Sequence, residues 1–447
     1  MVMTAGDAPC LRPGSIGRLW SDLPLASLLA LASLLPLLAG WESLSKLFFF
    51  GDDWDHLDQI QEQGLPAWMW TVFAENFVPL WKLAWGGTLL IANGSHLTLV
   101  VAIWITHAAT VLLLALLLRQ AGMGRLPVAA GTIVFALSTR NIETLAWTTL
   151  WTTVMASAFL LGGLLCIERL EARGEINVWK ESLLLLSLSA CSAFSMVRGV
   201  VTGPAMAAML LWTALLSSRI DASRCIRMAA ALIPAVLTAL IILTQSRGNH
   251  QALGTNWEEM LRFGWFYFAL NPFYCLFDFA GVGWRTALLL GTAKISLVGW
   301  ALCRARPRVR RLLVVFMLFN LGEAVLLGIG RFHTGVESTT SSRYQYLSLL
   351  TLAPFLGIAV ERAWRSVSRT IPGTLRVAGA CLIVLQIGWL VGHSWPRELR
   401  RWADARGGNT REILAREPLP GEVGAIPGIP YLTNERAREL VEEFNLH

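Results

Sequence analysis

Charge is what this 447-residue chain has least of. Lys, Arg, Asp and Glu together make up 15% of it, against about a quarter in a soluble globular protein. Hydrophobic residues make up 55% and the mean hydropathy is +0.54. They gather into long uninterrupted runs, which excludes an ordinary water-soluble domain and calls for helices lying in lipid. Cysteine chemistry is missing as well. The seven cysteines, at 10, 166, 191, 225, 275, 303 and 381, have neither metal-ligand nor redox spacing. They exclude a disulfide framework and a zinc site, and read as small apolar packing residues. No phosphate-cradling P-loop, dinucleotide fingerprint, nucleophile elbow or zincin motif is present, and no internal repeat. A cytosolic nucleotide-binding domain is thereby removed, which argues against an ATP-driven pump. The net charge of +7 does not point to nucleic acid. Its positive residues lie mostly in short loops between apolar runs, where they set membrane orientation.

What is present reads as an all-α polytopic membrane protein. The apolar runs predict about eleven spanning helices, near 22–41, 96–118, 126–138, 148–167, 181–197, 200–218, 228–245, 286–303, 312–329, 346–361 and 377–393. One alternate set of loops holds Arg12 and Arg18, Arg119 and Arg125, Arg169 and Arg173 with Lys180, Arg219 to Arg227, Arg304 to Arg311, and Arg362 to Arg376. The positive-inside rule places that set in the cytoplasm. The N-terminus is then cytoplasmic and the C-terminus external, as expected for a multi-pass protein of a bacterial inner (plasma) membrane. A cleaved signal peptide is the rival reading of the first span. The poor cleavage pattern around Ala39-Gly40-Trp41 favours an uncleaved anchor. The chain divides into a transmembrane domain, 1–393, and an external tail, 394–447, with helical patterns near 395–417 and 434–446 that dock on the external face. The first external loop, 42–95, is acidic and rich in Trp. Its residues 54–63 place Trp54, Leu57 and Ile60 at helical spacing, as in an interfacial helix. A second aromatic external segment, 246–285, reads the same way.

The acidic cluster is the first candidate for chemistry. Asp52 and Asp53 follow Phe48-Phe49-Phe50-Gly51 and precede Trp54-Asp55-His56. A helix N-cap with an acidic first turn explains one Asp well. It explains less well two, followed by Asp55, His56 and Asp58. On a helix Asp52, Asp55 and His56 share one face, suited to a divalent cation or a general base. Glu143, in the turn between the third and fourth expected helices, is either half of a surface ion pair or a second acid for acceptor binding or metal coordination. Arg343 and Tyr344 stand at the mouth of the tenth helix, with Arg331, His333 and the hydroxyls of residues 339–342 nearby. They read as an interfacial anchor or as a phosphate clamp, with Arg198 as a further candidate. Lys294 and Glu323 fall near mid-depth on consecutive helices and are expected to pair with each other. Asn93-Gly94-Ser95 matches a glycosylation acceptor pattern of the kind that arises by chance.

Taken together these segments resemble the GT-C class of integral-membrane glycosyltransferases, especially the protein mannosyltransferases that use polyprenyl-phosphate sugars. Gly51-Asp52-Asp53 opens the first external loop, where that class places its acidic motif. Asn76-Phe77-Val78-Pro79-Leu80 through His96-Leu97-Thr98 and His107-Ala108 resembles the "RPL … HLxN … HxxN" stretch of bacterial relatives and of TPR-containing O-mannosyltransferases. Ala136-Leu137-Ser138 to Glu143-Thr144-Leu145-Ala146-Trp147 resembles "ALHPxxxEAVAW", and Ser342-Arg343-Tyr344-Gln345-Tyr346-Leu347 resembles "ERYLYLP". Val78 stands where Arg is usual, Ser138-Thr139 replaces His-Pro, and Leu347-Ser348 lacks the usual Pro.

The resemblance implies transfer of a sugar from a polyprenyl-phosphate donor to a protein or glycan acceptor outside the cytoplasm. Asp52 or Asp53 would be the base, Glu143 would orient the acceptor, and Arg343, helped by Arg198 or Arg331, would neutralise the leaving phosphate. A divalent metal is allowed but not required, because the leaving group carries a single phosphate. The expected partners are the lipid-linked sugar, membrane lipids and the acceptor, with no nucleic acid. Two rivals stand beside it: a transporter or flippase for a lipid-linked or envelope component, and a catalytically inactive envelope scaffold.

Overall fold

The computed structural model describes residues 15–173, 177–216, 221–245, 256–277, 279, 281–370, 372–416 and 432–447. Cys10, Arg12 and Arg219 lie outside the described residues, as do 246–255 of the second segment expected to be external and 417–431 of the tail. Among the described residues the chain is helical, and an isolated bridge between Phe73 and Asn76 is the nearest approach to a sheet.

Hydropathy decides the architecture. Among the described residues nine helical stretches are long and apolar enough to cross a bilayer. The first, Ser21–Ala39, contains most of α1 (Ser15–Ala32). Two further elements sit ahead of the second span: α2 (Asp52–Gln63) and α3 (Pro79–Ile91). The spanning set continues with α4 (His96–Gln120), α6 (Trp151–Arg173), α8 (Thr202–Leu216), α9 (Ala222–Gln245), α11 (Trp284–Arg304), α12 (Pro307–Arg331), α13 (Gln345–Thr370) and a last stretch, Gly373–Ala415. The two other expected spans correspond to α5 (Arg125–Leu137) and α7 (Val178–Ala193), of 13 and 16 residues. At 1.5 Å per residue they measure about 20 and 24 Å, short of the roughly 30 Å hydrocarbon layer.

A short helix can hold its place in the bundle by close packing. Against α13, α5 does so backbone to backbone: a Cβ on Gly131 would lie 2.3 Å from the Ala353 carbonyl oxygen, and one on Gly357 2.1 Å from that of Pro127. Small residues at such crossings let dispersion contacts form where no hydrophobic driving force exists. In the aromatic segment 246–285, α10 (Trp257–Leu270) does not simply lie along the membrane surface as expected. Its Met260, Phe263, Phe266 and Tyr267 are buried, and it packs on α12, where a Cβ on Gly328 would lie 2.4 Å from the Met260 carbonyl oxygen.

One end of the bundle is fastened by ion pairs. Arg119 meets Asp22 at 2.7 Å, Arg227 meets Glu181 at 3.0 Å, and Arg311 bridges Glu168 and Glu171. The expected Lys294–Glu323 pair does not form. Lys294 Nζ donates to the carbonyls of Phe268 and Asn271, at 2.8 and 2.9 Å, and to Asn320 Oδ1 at 2.7 Å. An ammonium has three donors, so all are used. Glu323 is taken by Arg198, at 2.8 Å, whose guanidinium lies closer than the lysine and binds a carboxylate more specifically.

The boundary expected at 393/394 falls inside continuous helix. From α14 (Gly373–Trp389) the chain passes through two π-helical segments, Leu390–Ser394 and Ala403–Gly408, without leaving the helical path. Trp395 and Leu399 are fully buried, and Trp395 Nε1 donates to the Leu137 carbonyl at 2.9 Å. The end of the chain docks on the acidic loop. Arg406 lies over the Phe50 ring at 4.1 Å, and α15 (Asn434–Glu443) ties Arg436 to Asp58 at 2.7 Å.

Candidate functional site

Opposite the ion-paired end, a cavity of about 510 Å³ opens among α2, the start of α6, the 197–201 turn, and the ends of α9 and α12. Its polar side is lined by Asp52, Glu75, Arg198, Arg331, Arg343 and Tyr344. Its other side is apolar, with Ala239, Ile242 and Leu243 from α9 and Leu326, Leu327 and Ile329 from α12. Leu243 and neighbouring α9 residues such as Leu240 also present more than half of their surface outward. The apolar wall is thus continuous with the lipid-facing surface.

The two aspartates have different situations. Gly51 is the N-cap of α2 at φ +56°, and a Cβ there would lie 3.1 Å from Trp147, so both its backbone and its space call for glycine. Asp53 is fully buried and its oxygens are occupied. It accepts from the Thr148 and Thr149 hydroxyls, each at 2.6 Å, and from the Phe50 backbone N–H at 3.1 Å. Burial pushes its pKa up to about 6, against the pull of those three donors. Asp53 therefore pins α2 to the start of α6. Asp52 is exposed, but to the cavity. Enclosure there strips part of its water and raises its pKa above the ordinary carboxylate value, while the charges of Arg331 and Arg343 pull it back. Of the pair expected to share the role of base, Asp52 faces the cavity and Asp53 does not.

The expected metal face does not assemble. His56 lines the cavity wall but is 2% exposed, with Phe73, Trp81 and Trp68 rings 4.5, 4.9 and 5.5 Å from its own. Burial, with the Lys82 charge, lowers its pKa to about 3, so the ring stays neutral. Asp55 is not among the residues lining the cavity. Among the described residues no group of three or more His, Cys, Asp or Glu side chains is placed to hold a metal. Asp52, Asp55 and His56 belong to one helix, α2, but aromatic packing claims the imidazole.

Glu143 also has a different place from the one expected. It is 8% exposed and does not line the cavity. Its Oε2 accepts from the Arg343 backbone N–H at 2.8 Å and from the Ser342 hydroxyl. It fastens the turn that carries Arg343. The Arg343 and Arg198 guanidiniums both lie over the Tyr344 ring, at 5.2 and 5.7 Å, within cation–π range. Arg343 Nε and Tyr344 Oη are buried without a hydrogen-bond partner. His333 is exposed and stands outside the cavity lining, since the turn after α12 carries it past the rim.

Some lining residues have no site role in the sequence reading. Glu75 and Asn76 project from a tight turn between the tryptophans, and Trp147 and Thr149 from the start of the fourth expected helix. The signal for Glu75 is a carboxylate interrupting an aromatic stretch, while Asn76 and Trp147 stand inside the stretches that carry the resemblance, without a site role of their own. No family model, curated protein or solved structure matches this chain.

Proposed function

We propose that this protein is a membrane glycosyltransferase that moves a sugar from a polyprenyl-phosphate donor to a hydroxyl acceptor at the external face of a bacterial inner membrane. The observation that carries the reading is one cavity lined by the carboxylate of Asp52, within electrostatic reach of two guanidiniums, Arg331 and Arg343, beside a wall of aliphatic side chains open toward lipid. A lipid phosphate needs that combination: hydrocarbon against α9 and α12, and cations at the phosphate.

In the proposed reaction the acceptor oxygen attacks the anomeric carbon as its proton passes to Asp52. The bond from that carbon to the phosphate oxygen breaks, and the polyprenyl phosphate leaves with the bonding pair. Arg343 and Arg331 stabilise the charge that grows on it. Attack from the face opposite the leaving group inverts the anomeric configuration. Arg198 is held by Glu323 and backs Arg343 through Tyr344. Glu143 and Asp53 act indirectly, by holding the two segments that bring Arg343 and Asp52 together. No step calls for a metal. The transporter reading depended on Lys294 and Glu323 as a charged path. Each has its partners within the fold, which favours the enzyme.

The test is transfer from radiolabelled polyprenyl-phosphate sugars by the purified full-length chain. Asp52→Asn is expected to lower the rate by about 10²–10⁴ without changing membrane insertion. Full activity in that variant, or no transfer from any lipid-phosphate sugar by the wild type, sinks the proposal.

A further inference from the structure

The last long apolar helix takes no part in the packing of the bundle. No residue of α14 is buried, and Leu382, Leu385 and Trp389 each expose more than half of their surface. A helix this apolar and this bare is solvated by acyl chains. Its continuation behaves differently. The chain runs on through Leu390–Ser394 into the helix Trp395–Trp402. There Trp395 and Leu399, four residues apart, are fully buried. Leu399 fills the space in front of Gly40, where a Cβ would lie 2.2 Å from its Cδ1. The helix is thus seated at the end of the first span, where Leu38 and Trp41 are exposed.

The outward face of that helix is basic. Arg397, Arg400, Arg401, Arg406 and Arg411 follow one another closely, and the bias that fills the opposite end of the bundle with arginine does not account for them. Two turn inward. Arg406 lies over the Phe50 and Trp402 rings, at 4.1 and 4.8 Å, and Arg411 over Phe48, at 4.9 Å. Arg397, Arg400 and Arg401 are exposed. Glu398 stands between Arg397 and Arg401, 3.3 and 3.1 Å away. One carboxylate cannot neutralise three guanidiniums, and ion pairs this exposed hold their partners weakly.

Helix geometry aims these cations at the membrane. Trp389, His393, Arg397 and Arg401 recur at every fourth position, which keeps neighbouring side chains together on one side. The Trp389 and His393 rings, 4.2 Å apart, follow that spacing. The helix leaves the hydrocarbon N-terminal end first, and Cα–Cβ bonds tilt toward a helix's N-terminus, so the arginines lean back toward lipid. Trp389 stands where an interfacial tryptophan marks headgroup depth. Arg397 follows it by a rise of at most about 12 Å, part of which its long side chain covers.

We infer that Arg397, Arg400 and Arg401 form a binding surface for an anionic phospholipid of the leaflet at the cavity's end of the bundle. The lipid phosphate lies between the guanidiniums, and its acyl chains lie along α14 and the end of the first span. A guanidinium matches phosphate oxygens with two parallel N–H bonds. A zwitterionic headgroup carries a cation of its own, which the same arginines repel. The inference is independent of the glycosyltransferase reading, since it uses none of the cavity residues.

The experiment places the full-length protein in phosphatidylcholine nanodiscs that carry a trace of phospholipid with a photoreactive acyl chain. The probe is either phosphatidylglycerol or phosphatidylcholine, and its cross-links are mapped by mass spectrometry. Labelling of residues 382–393 by phosphatidylglycerol should exceed labelling by phosphatidylcholine at least about fivefold, and the excess should shrink at high salt. The combined variant R397Q/R400Q/R401Q should remove the excess and leave labelling by phosphatidylcholine unchanged. Glu398→Gln, which removes the competing carboxylate, should raise it by a further factor of about five, a direction that misfolding does not produce. Arg362→Gln with Arg369→Gln, exposed at the far end of α13, should leave it as it is. If the triple variant fails to fold, judged by size-exclusion, the wild type and Glu398→Gln carry the test. Equal labelling by the two lipids, or an excess that survives the triple variant, overturns the assignment. Equal labelling together with binding of soluble polyglutamate overturns it in favour of an acidic protein partner.

Discussion

Asp52 and Asp53 are adjacent in sequence, and the fold gives them opposite surroundings. Asp53 carries a folded-state pKa of about 6 against an ordinary value of 3.8. A raised carboxyl pKa means that the folded chain holds the proton more tightly than the unfolded chain does. Its contribution to stability is then fully present below about pH 4 and is lost as pH rises through about 6. Asp53→Asn cannot titrate, and it sets an amide N–H against the Phe50 N–H or against the threonine hydroxyls. The variant should therefore be less stable than wild type at pH 4, with the gap in thermal-unfolding midpoint narrowing by pH 7. A constant gap across that range contradicts the assignment. Asp52 gives a kinetic signature instead. As a base it acts when deprotonated, so the proposed activity rises with pH through its raised pKa. Arg331 holds that pKa down. Arg331→Gln should shift the acid limb of kcat/KM to higher pH, whatever it does to KM, and an unmoved limb would show that another group is the base.

Elements earn their geometry through contacts that residue lists do not display. The turn carrying Arg343 leads into α13, and α13 is set by its crossing with α5 at Gly131 and Gly357. A methyl at Gly357 would meet the Pro127 carbonyl oxygen, which belongs to the backbone and has no rotamer to yield. Gly357→Ala should force the helices apart at a cost of about 1–3 kcal/mol, seen as a lower unfolding midpoint. Transfer should fall more than stability alone requires, because the Glu143–Arg343 bond shifts with the helix. The expected helix at 54–63 was legible because Trp54, Leu57 and Ile60 repeat at helical spacing, and all three are buried. What they pack against was not legible: the face turns inward onto protein, not onto headgroups.

At the scale of the molecule the two ends are chemically distinct. One holds the arginine-rich turns and the Asp22, Glu181 and Glu168 pairs, and the other holds the cavity and the docked tail. The proposed orientation puts the first end in the cytoplasm. Cys225 and Cys303 are exposed near that end, and His333 is exposed at the other. On intact spheroplasts a membrane-impermeant maleimide should label His333→Cys and leave Cys225 and Cys303 unmodified until the cells are opened. Labelling of the native cysteines alone would invert the topology and turn the cavity away from an external acceptor.

Apolar run length and scarce charge were sufficient to establish, from sequence, a helical multi-pass protein and the positions of most of its long apolar helices, because burial in hydrocarbon depends on local composition. Charge and residue type also marked Asp52, Arg331, Arg343 and Arg198, all of which line one cavity. Only the tertiary structure separated Asp52 from Asp53, gave Glu323 to Arg198 instead of Lys294, withdrew Glu143 and His333 from the cavity, and brought Glu75 to Gly330. Those outcomes depend on which partner lies within about 3 Å, across separations of up to about 250 residues. Nothing in the local pattern of a chain encodes that distance.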